Sequence, residues 1–335
     1  MSKDIRLLLE DERPLAKALW KEAFSDTDAF IDWYFANKLS AGSSLCMFDG
    51  GKLISIAHMI PYTIRIQGKP IQSAFIAGVA TALSRRGEGL MRTMLLESLG
   101  LLRARGIFIT HLYPFSHAFY EKFGWTAYSR VSRQMVGAAR RLRGSEVIEI
   151  TDVTVLAPLY NRMMKAYDGY VVRGGLEWQW RLGELLSDGG RCAVLIKNDR
   201  ACAYMLYFSN NDKADIIETV YQDEEDIGAM LAYVLSQGHH HAEYTIPSEG
   251  MGAVKHGMAR VVDTNALLSA FGAQDLLKEF DIVDDFASWN STAGGCEKSI
   301  SAAELALLVH CGTDRRDAKA AHYFVPQKTC IFEAY

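Results

Sequence analysis

Apolar positions along the chain follow two periods, one helical and one of the alternating kind that makes strands. From Asp11 to Phe24 they recur at Leu15, Leu19 and Phe24, and Asp26 to Leu39 carries the aromatic-rich run FIDWYFANKL, so each stretch predicts a helix. Leu45–Phe48 and Leu53–Ile60 flank the turn sequence Asp49-Gly50-Gly51 and predict a β-hairpin. A further strand pair, Tyr62–Ile66 and Ser73–Ala80, leads through Thr81–Gly89 into a helix with Met91, Met94, Leu95, Leu99 and Leu102 on one face. Ile107–Leu112 reads as a short buried strand.

Small and basic residues over Gly137–Gly144 interrupt this pattern and read as a linker. Beyond it, Cys192–Ile196, a turn at Asn198-Asp199, Ala201–Phe208, Ala214–Tyr221 and a helix over Glu225–Ser236 repeat the order hairpin, strand, helix, which points to a degenerate internal duplication. After Met258 come RVVDTNALLSAF, short strands, a helix over Ser301–Val309 and the tail FVPQKTCIFEAY, a small α+β unit. The expected organisation is three domains of mixed α/β (α+β) class, over residues 1–142, 143–258 and 259–335.

Composition narrows the function. The chain has 335 residues, 49% hydrophobic and 23% charged, which suits a globular protein with a sizeable core and excludes a single small binding module. Its net charge of −4, without a strongly basic stretch, argues against nucleic acid or anionic lipid as partner and favours a small molecule. The first residues, MSKDIRLLLEDERPLAKAL, lack the apolar core of a signal peptide and no apolar run is long enough to span a bilayer, so no membrane partner and a cytoplasmic location are expected. Six scattered cysteines without a CxxC pair point to reduced thiols rather than a disulfide framework or a zinc site.

The stretch with chemical content is GVATALSRRGEGLMR, residues 78–92. A strand feeding a glycine-containing basic turn that opens a helix exposes backbone N–H groups at the positive end of the helix dipole, an arrangement suited to a pyrophosphate. Arg85 and Arg86 would add full charges. The plainer reading is a strand-to-helix turn with two solvated arginines. Neither GxxxxGK[ST] nor GxGxxG occurs in this stretch.

A second signature lies some thirty residues on, in LYPFSHAFYEKFGW at 112–125. Together the two resemble the GNAT superfamily of N-acetyltransferases: Arg86, Gly87 and Gly89 match its acyl-coenzyme A pyrophosphate loop, and Phe119-Tyr120 with Gly124-Trp125 match its FYxxxGF element. Met91 departs from the pattern, which has Gly or Ala there. The whole chain further resembles the narrower Eis (enhanced intracellular survival) group, through Tyr170-Val-Val-Arg173, Trp178–Leu182 and Ala259–Asp263. That group pairs a catalytic GNAT domain with a second GNAT-like domain and a sterol-carrier-protein-like C-terminal domain.

The resemblance implies acetyl-coenzyme A as co-substrate and no metal. Backbone groups of Val79, Ala80 and Thr81 would meet the pantetheine arm, and the turn from Arg85 through Arg86, Gly87 and Gly89 to Leu90 and Met91 would hold the pyrophosphate. It also implies Tyr120 as general acid, with a core aromatic whose hydroxyl is satisfied as the plainer alternative. GNAT enzymes often carry a basic glutamate on the strand before the loop, yet Phe75–Leu83 contains no acidic residue. In the Eis group the chain's own terminal carboxylate takes that part, here Tyr335; a frayed terminus is the alternative. The group's assembly implies a homo-oligomer, a trimer or a hexamer.

Asp26, Asp28 and Glu333 would favour a cationic amine acceptor, although Asp26 alone reads as a helix cap. Asp223-Glu-Glu-Asp226 stands in the second domain where the first has its basic loop, and four carboxylates would repel a pyrophosphate, so one active site per chain is expected. His239-His-His241 lacks metal-ligand spacing; His111 and His117 are candidate proton relays with packing as the plainer role; Trp178 and Trp180 read as packing residues. The rival class is a non-catalytic acyl-coenzyme A or lipid-binding protein on the same scaffold. A tandem-GNAT aminoacyl transferase is a further alternative, disfavoured by the lack of a basic face for transfer RNA.

Overall fold

A computed structural model describes residues 3–139, 145–292, 294–313 and 318–333. Within these, backbone proximity separates two compact units: the first comprises the residues up to Ser129, His256–Gln327 and Glu333, the second Arg130–Lys255 and Lys328–Phe332.

The first unit opens with β1 (Asp4–Leu7), α1 (Arg13–Ala23) and α2 (Asp28–Asn37). Pro14 sits in the first turn of α1, where its missing N–H costs nothing. Thr27 caps α2 by accepting from the Phe30 amide. Asp26, which reads as the cap in the sequence, instead accepts from the Trp20 indole at 2.7 Å.

The expected hairpin is β2 (Ser44–Asp49) with β3 (Lys52–Ile66), turning through Gly50 and Gly51 at φ +55° and +77°. The proline at 61 divides β3 in the sequence pattern, but in the structure the strand runs through it to a turn at Gln67-Gly68 and returns as β4 (Lys69–Thr81). β2 pairs with β3 only as far as His58, so beyond that point one edge of β3 has no strand partner among the described residues and tolerates a residue with no N–H to donate. Then follow α3 (Leu90–Ala104), β5 (Ile109–Leu112), the short α4 (His117–Glu121) and β6 (Thr126–Ala127).

At Arg130 the chain enters the second unit with β7 (Arg130–Val136), β8 (Ser145–Glu149), α5 (Val153–Met164) and α6 (Gly175–Ser187). It continues with β9 (Arg191–Lys197), β10 (Arg200–Asn210), β11 (Lys213–Tyr221), α7 (Glu224–Ser236), β12 (His241–Pro247) and β13 (Val254–Lys255). β10 shows how this sheet is covered on both faces: Tyr204 and Leu206 pack into one apolar cluster, while Ala203, Met205 and Tyr207 pack into another with α7.

The first unit resumes with β14 (Met258–Val261), α8 (Thr264–Phe271), β15 (Phe280–Val283), β16 (Lys298–Ser301), α9 (Ala302–Cys311) and α10 (Ala318–Tyr323). The sheet of the first unit has the order β1-β2-β3-β4-β5-β14-β6, and that of the second β13-β7-β12-β11-β10-β9-β8. The repeated order of the sequence is thus a repeated topology. In each half two hairpins end in a strand that crosses through a helix, α3 or α7, to a parallel neighbour. The strands beside the expected domain limits cross them. β7 precedes residue 142, which lies outside the described residues, yet belongs to the second sheet, and β14 spans residue 259 within the first.

Buried polar ties lock the C-terminal segment onto the first sheet. Arg260 on β14 reaches both oxygens of Asp284 at 2.9 and 2.8 Å, and Asp284 also accepts from the amides of Phe286 and Ala287. His111 on β5 meets His310 on α9 with their Nε2 atoms 2.8 Å apart. The Ala306 carbonyl can only accept, so His310 carries its hydrogen on Nδ1, its Nε2 accepts from His111, and His111 Nδ1 accepts from Ser73. His117, in contrast, contacts the His256 carbonyl at 2.9 Å.

Burial lowers the pKa of His58 to about 3 and that of His310 to about 4 from the ordinary 6.5, and pushes His111 well down. All three are neutral in the fold, so below pH 6.5 the unfolded chain binds more protons than the folded one and stability falls with pH. For His58 alone the expected loss at pH 5 is about 2 kcal/mol. Denaturant midpoints measured from pH 7.5 down to 5 should therefore decline, and His58→Gln should flatten part of that slope.

Candidate active site

Two backbone features shape one end of the first sheet. Among the described residues β4 and β5 run parallel but pair only at Ala74–Thr110 and Phe75–His111; past that point β4 continues to Thr81 with no described strand on its β5 side. The β3–β4 register also slips between Ile56 and His58, so that Gly78 and Val79 together oppose Ala57, a bulge. Gly78 stands at φ +53°, and a Cβ there would come within 2.3 Å of the Trp20 ring and 2.5 Å of the His58 ring. The bulge reverses the parity of the strand: Ala74 and Ile76 face the core cluster before it, and Val79 packs against that cluster after it. Ala80 and Thr81 follow, with the Ala80 carbonyl accepting from the Ser55 hydroxyl at 2.8 Å.

After Thr81 a 3-10 turn, Leu83–Arg85, leads to Gly87 and Gly89 at φ +86° and +75° and then into α3. The glycines let the loop present its amides outward: the N–H groups of Gly87, Glu88, Gly89, Leu90 and Met91 donate to no acceptor among the described residues. A Cβ at Gly87 or Gly89 would meet no atom within 4 Å, so the space above them is open. Leu90 is buried and Met91 turns its side chain onto the core cluster, so the residue that departs from the family pattern does not project over the amides. Arg85 is held between Asp49 at 2.9 Å and Glu88 at 2.6 Å, its charge already met by carboxylates. The Arg86 side chain makes one hydrogen bond among the described residues, from Nε to the Thr81 carbonyl at 3.4 Å.

Tyr120 lies on α4, which Ser116 caps. Its ring is buried against Phe115, Phe119 and Trp125, in the same cluster as Leu90 and Met94, with Val79 and Met91 packed on the edge. The hydroxyl has no hydrogen-bond partner among the described residues. Burial raises its pKa above the ordinary 10. The glycine of the FYEKFGW element has its own reason: Gly124 sits at φ +79°, and a Cβ would lie 3.0 Å from the guanidinium of Arg260. Nothing in the linear sequence linked Gly124 to Arg260.

Of the remaining expected site residues, Tyr335 lies outside the described residues; Glu333, two positions before it, is buried. Asp28 is paired with Lys21 and Asp26 with the Trp20 indole, so both are already engaged within the fold. In the second unit the Asp226 side chain accepts from the Asp223 N–H at the start of α7, and Lys197, the last residue of β9, ion-pairs with Asp223, Glu225 and Asp226. Trp178 is buried in the core of that unit beside Tyr160 and Tyr204, a packing residue as read, and Trp180 is buried too. The His239 ring contacts the Ser209 hydroxyl, and no group of potential metal ligands occurs among the described residues.

Residues 4–128 match the family model described as an acetyltransferase (GNAT) domain. The first unit carries a GNAT acetyltransferase domain. The chemistry of such a domain is acyl-coenzyme A-dependent acetyl transfer. No curated protein sequence matches the chain. Among solved structures, it is similar over the full length of both chains to a probable N-acyltransferase of unknown function from Enterococcus faecalis V583 (16% identity, TM-score 0.77). It is likewise similar over both full lengths to a GCN5-related N-acetyltransferase from Anabaena variabilis (13%, 0.74) and to Eis1 from Mycobacterium abscessus (16%, 0.70). At these identities the likeness is one of fold, and it extends to the tandem GNAT-like arrangement of two mixed sheets flanked by helices.

Gly78→Ala forces a β-carbon into the Trp20 and His58 rings at an unfavourable φ, and should destabilise the first unit by about 3 kcal/mol. A thermal melt reads this directly, with a fall of several degrees expected; an unchanged melting temperature would show the bulge to be dispensable.

Proposed function

We propose that the protein is an acetyl-coenzyme A-dependent N-acetyltransferase of the Eis type acting on the primary amine of a small cationic acceptor. The observation that carries the reading is the row of five outward N–H groups from Gly87 to Met91 at the N-terminus of α3, a cradle for a pyrophosphate. Arg86 adds a charge that is not committed to a carboxylate, whereas Arg85 acts by holding the loop through Asp49 and Glu88. The unpaired edge of β4 at Val79, Ala80 and Thr81 offers backbone groups to an extended arm, and an N–H there can face the thioester oxygen as charge builds on it.

Bound acetyl-coenzyme A supplies the activated acetyl group. Tyr120 gives its proton to the departing thiolate; burial keeps that phenol protonated at neutral pH, which suits an acid rather than a base. An alkylammonium, with a pKa near ~10.4, has to lose a proton before it can attack. The terminal carboxylate of Tyr335 takes that proton, a reading supported by the absence of any acidic residue from Phe75 to Leu83. The same proposal includes a non-catalytic second GNAT-like domain, a sterol-carrier-like C-terminal segment, a cytoplasmic homo-oligomer of three or six chains, and no part for metal, membrane or nucleic acid.

Tyr120→Phe should lower kcat about 100-fold with acetyl-coenzyme A affinity retained. Arg86→Ala should weaken acetyl-coenzyme A binding about tenfold with a smaller effect on kcat. Extending the chain beyond Tyr335 should depress kcat while binding persists. A thiol-release assay with a panel of amines, alongside calorimetric titration of acetyl-coenzyme A, reads all three. Failure to bind acetyl-coenzyme A would overturn the reading, and full turnover in the extended chain would remove the terminal carboxylate from it.

A further inference from the structure

Most described arginines of the second unit are committed to a partner. Arg133, Arg173, Arg181 and Arg191 pair with carboxylates, and Arg130 donates to the Ala253 carbonyl at 2.6 Å. Two are not: the side chains of Arg162, in the last turn of α5, and Arg200, the first residue of β10, meet no acceptor among the described residues. Both line one cavity of about 700 Å³, together with Lys197 at the end of β9. Among the described residues no carboxylate lines it, although the whole chain carries a net charge of −4, so the cavity concentrates positive charge on an otherwise acidic protein. Lys197 is held in the wall by Asp226 and by Asp223 at 3.8 Å, which leaves the two arginines as the uncommitted cations.

The rest of the lining is uncharged. Gln222 donates from Nε2 to the Ala201 carbonyl at 3.3 Å, and its Oε1 has no donor among the described residues. Asn198, in the hairpin turn at φ +49°, brings a second carboxamide, and the half-buried Cys202 thiol donates to the Arg200 carbonyl at 3.4 Å. A guanidinium fork matches a pair of phosphate oxygens, and a phosphate monoester carries up to two negative charges at neutral pH, one for each arginine. The cavity is far larger than a bare ion and has the size of a small-molecule site, while carboxamides suit hydroxyl groups on the remainder of the ligand. It is no copy of the loop before α3: the first turn of α7 carries Glu224, Glu225 and Asp226, and the cations come from α5 and the β9–β10 hairpin instead.

We propose that this cavity binds a small hydroxylated phosphate monoester, a ligand of the sugar-phosphate class, with Arg162 and Arg200 on the phosphate and Asn198 and Gln222 on the hydroxyls. All of its residues belong to the second unit, so the site is separate from the amide loop of the first and does not rest on the acetyl-transfer reading.

Calorimetric titration of the full-length protein tests this, with glucose 6-phosphate and glycerol 3-phosphate as probes and glucose, inorganic phosphate and succinate beside them. Each titration is run with and without excess acetyl-coenzyme A. The two esters should bind in both conditions and glucose in neither. Arg162→Gln and Arg200→Gln should each weaken the esters at least about tenfold, with acetyl-coenzyme A affinity unchanged, whereas Arg133→Gln should leave ester binding as it is. Alkylation of Cys202, followed by peptide mass spectrometry, should slow about tenfold when an ester is present at about ten times its Kd. Inorganic phosphate binding as tightly as the esters would overturn the ester and make the free ion the ligand; succinate binding as tightly would overturn phosphate altogether. Loss of ester binding under acetyl-coenzyme A would move it to the first unit and overturn the site. No binding by either ester, or binding unchanged in both arginine variants, overturns it as well.

Discussion

Parallel strands that part after two residue pairs leave a row of backbone groups with no strand to bond to, and the first unit is organised around that row. β4 loses β5 after Phe75, and the bulge at Gly78 turns the strand so that Val79 packs on the core. An unsatisfied backbone edge is costly when buried, so it has to face solvent or a ligand. The loop beyond it continues the theme with five more open amides at the positive end of α3.

The two halves show how little it takes to reverse this chemistry on one scaffold. In the first, Asp49 at the end of β2 restrains Arg85 of the loop; in the second, Lys197 at the end of β9 meets the acids that open α7. The charges are exchanged: glycines at positive φ shape a basic loop in one, while acids line the first turn of the helix in the other.

Much of this was legible in the linear chain. The helices α1, α2, α3, α7 and α9, the hairpin at Gly50-Gly51, the duplication and both chemical signatures are local patterns of spacing and residue type, and local patterns suffice for them. The strand through Pro61 was read as two, because whether a missing N–H matters depends on how far β2 extends alongside. The glycine inside a strand pattern at 78 was visible, but its reason, the Trp20 and His58 rings, comes from two other elements. Arg85 and Arg86 look equivalent in sequence, and only Asp49, far off along the chain, separates their roles.

The sequence by itself determined the elements, the loop that exposes amides and the tyrosine that follows it, because each depends on residues within a few turns of one another. Tertiary structure alone decided which groups were left without partners, since satisfaction is a property of everything within hydrogen-bond reach. It decided that β7 and β14 complete sheets across the expected domain limits, that Gly124 makes room for a buried arginine, and that the backbone at Lys328 and Cys330 bonds to Asp168. Those contacts join residues up to about half the chain apart, and hydrogen bonding and close packing, not sequence neighbourhood, select them.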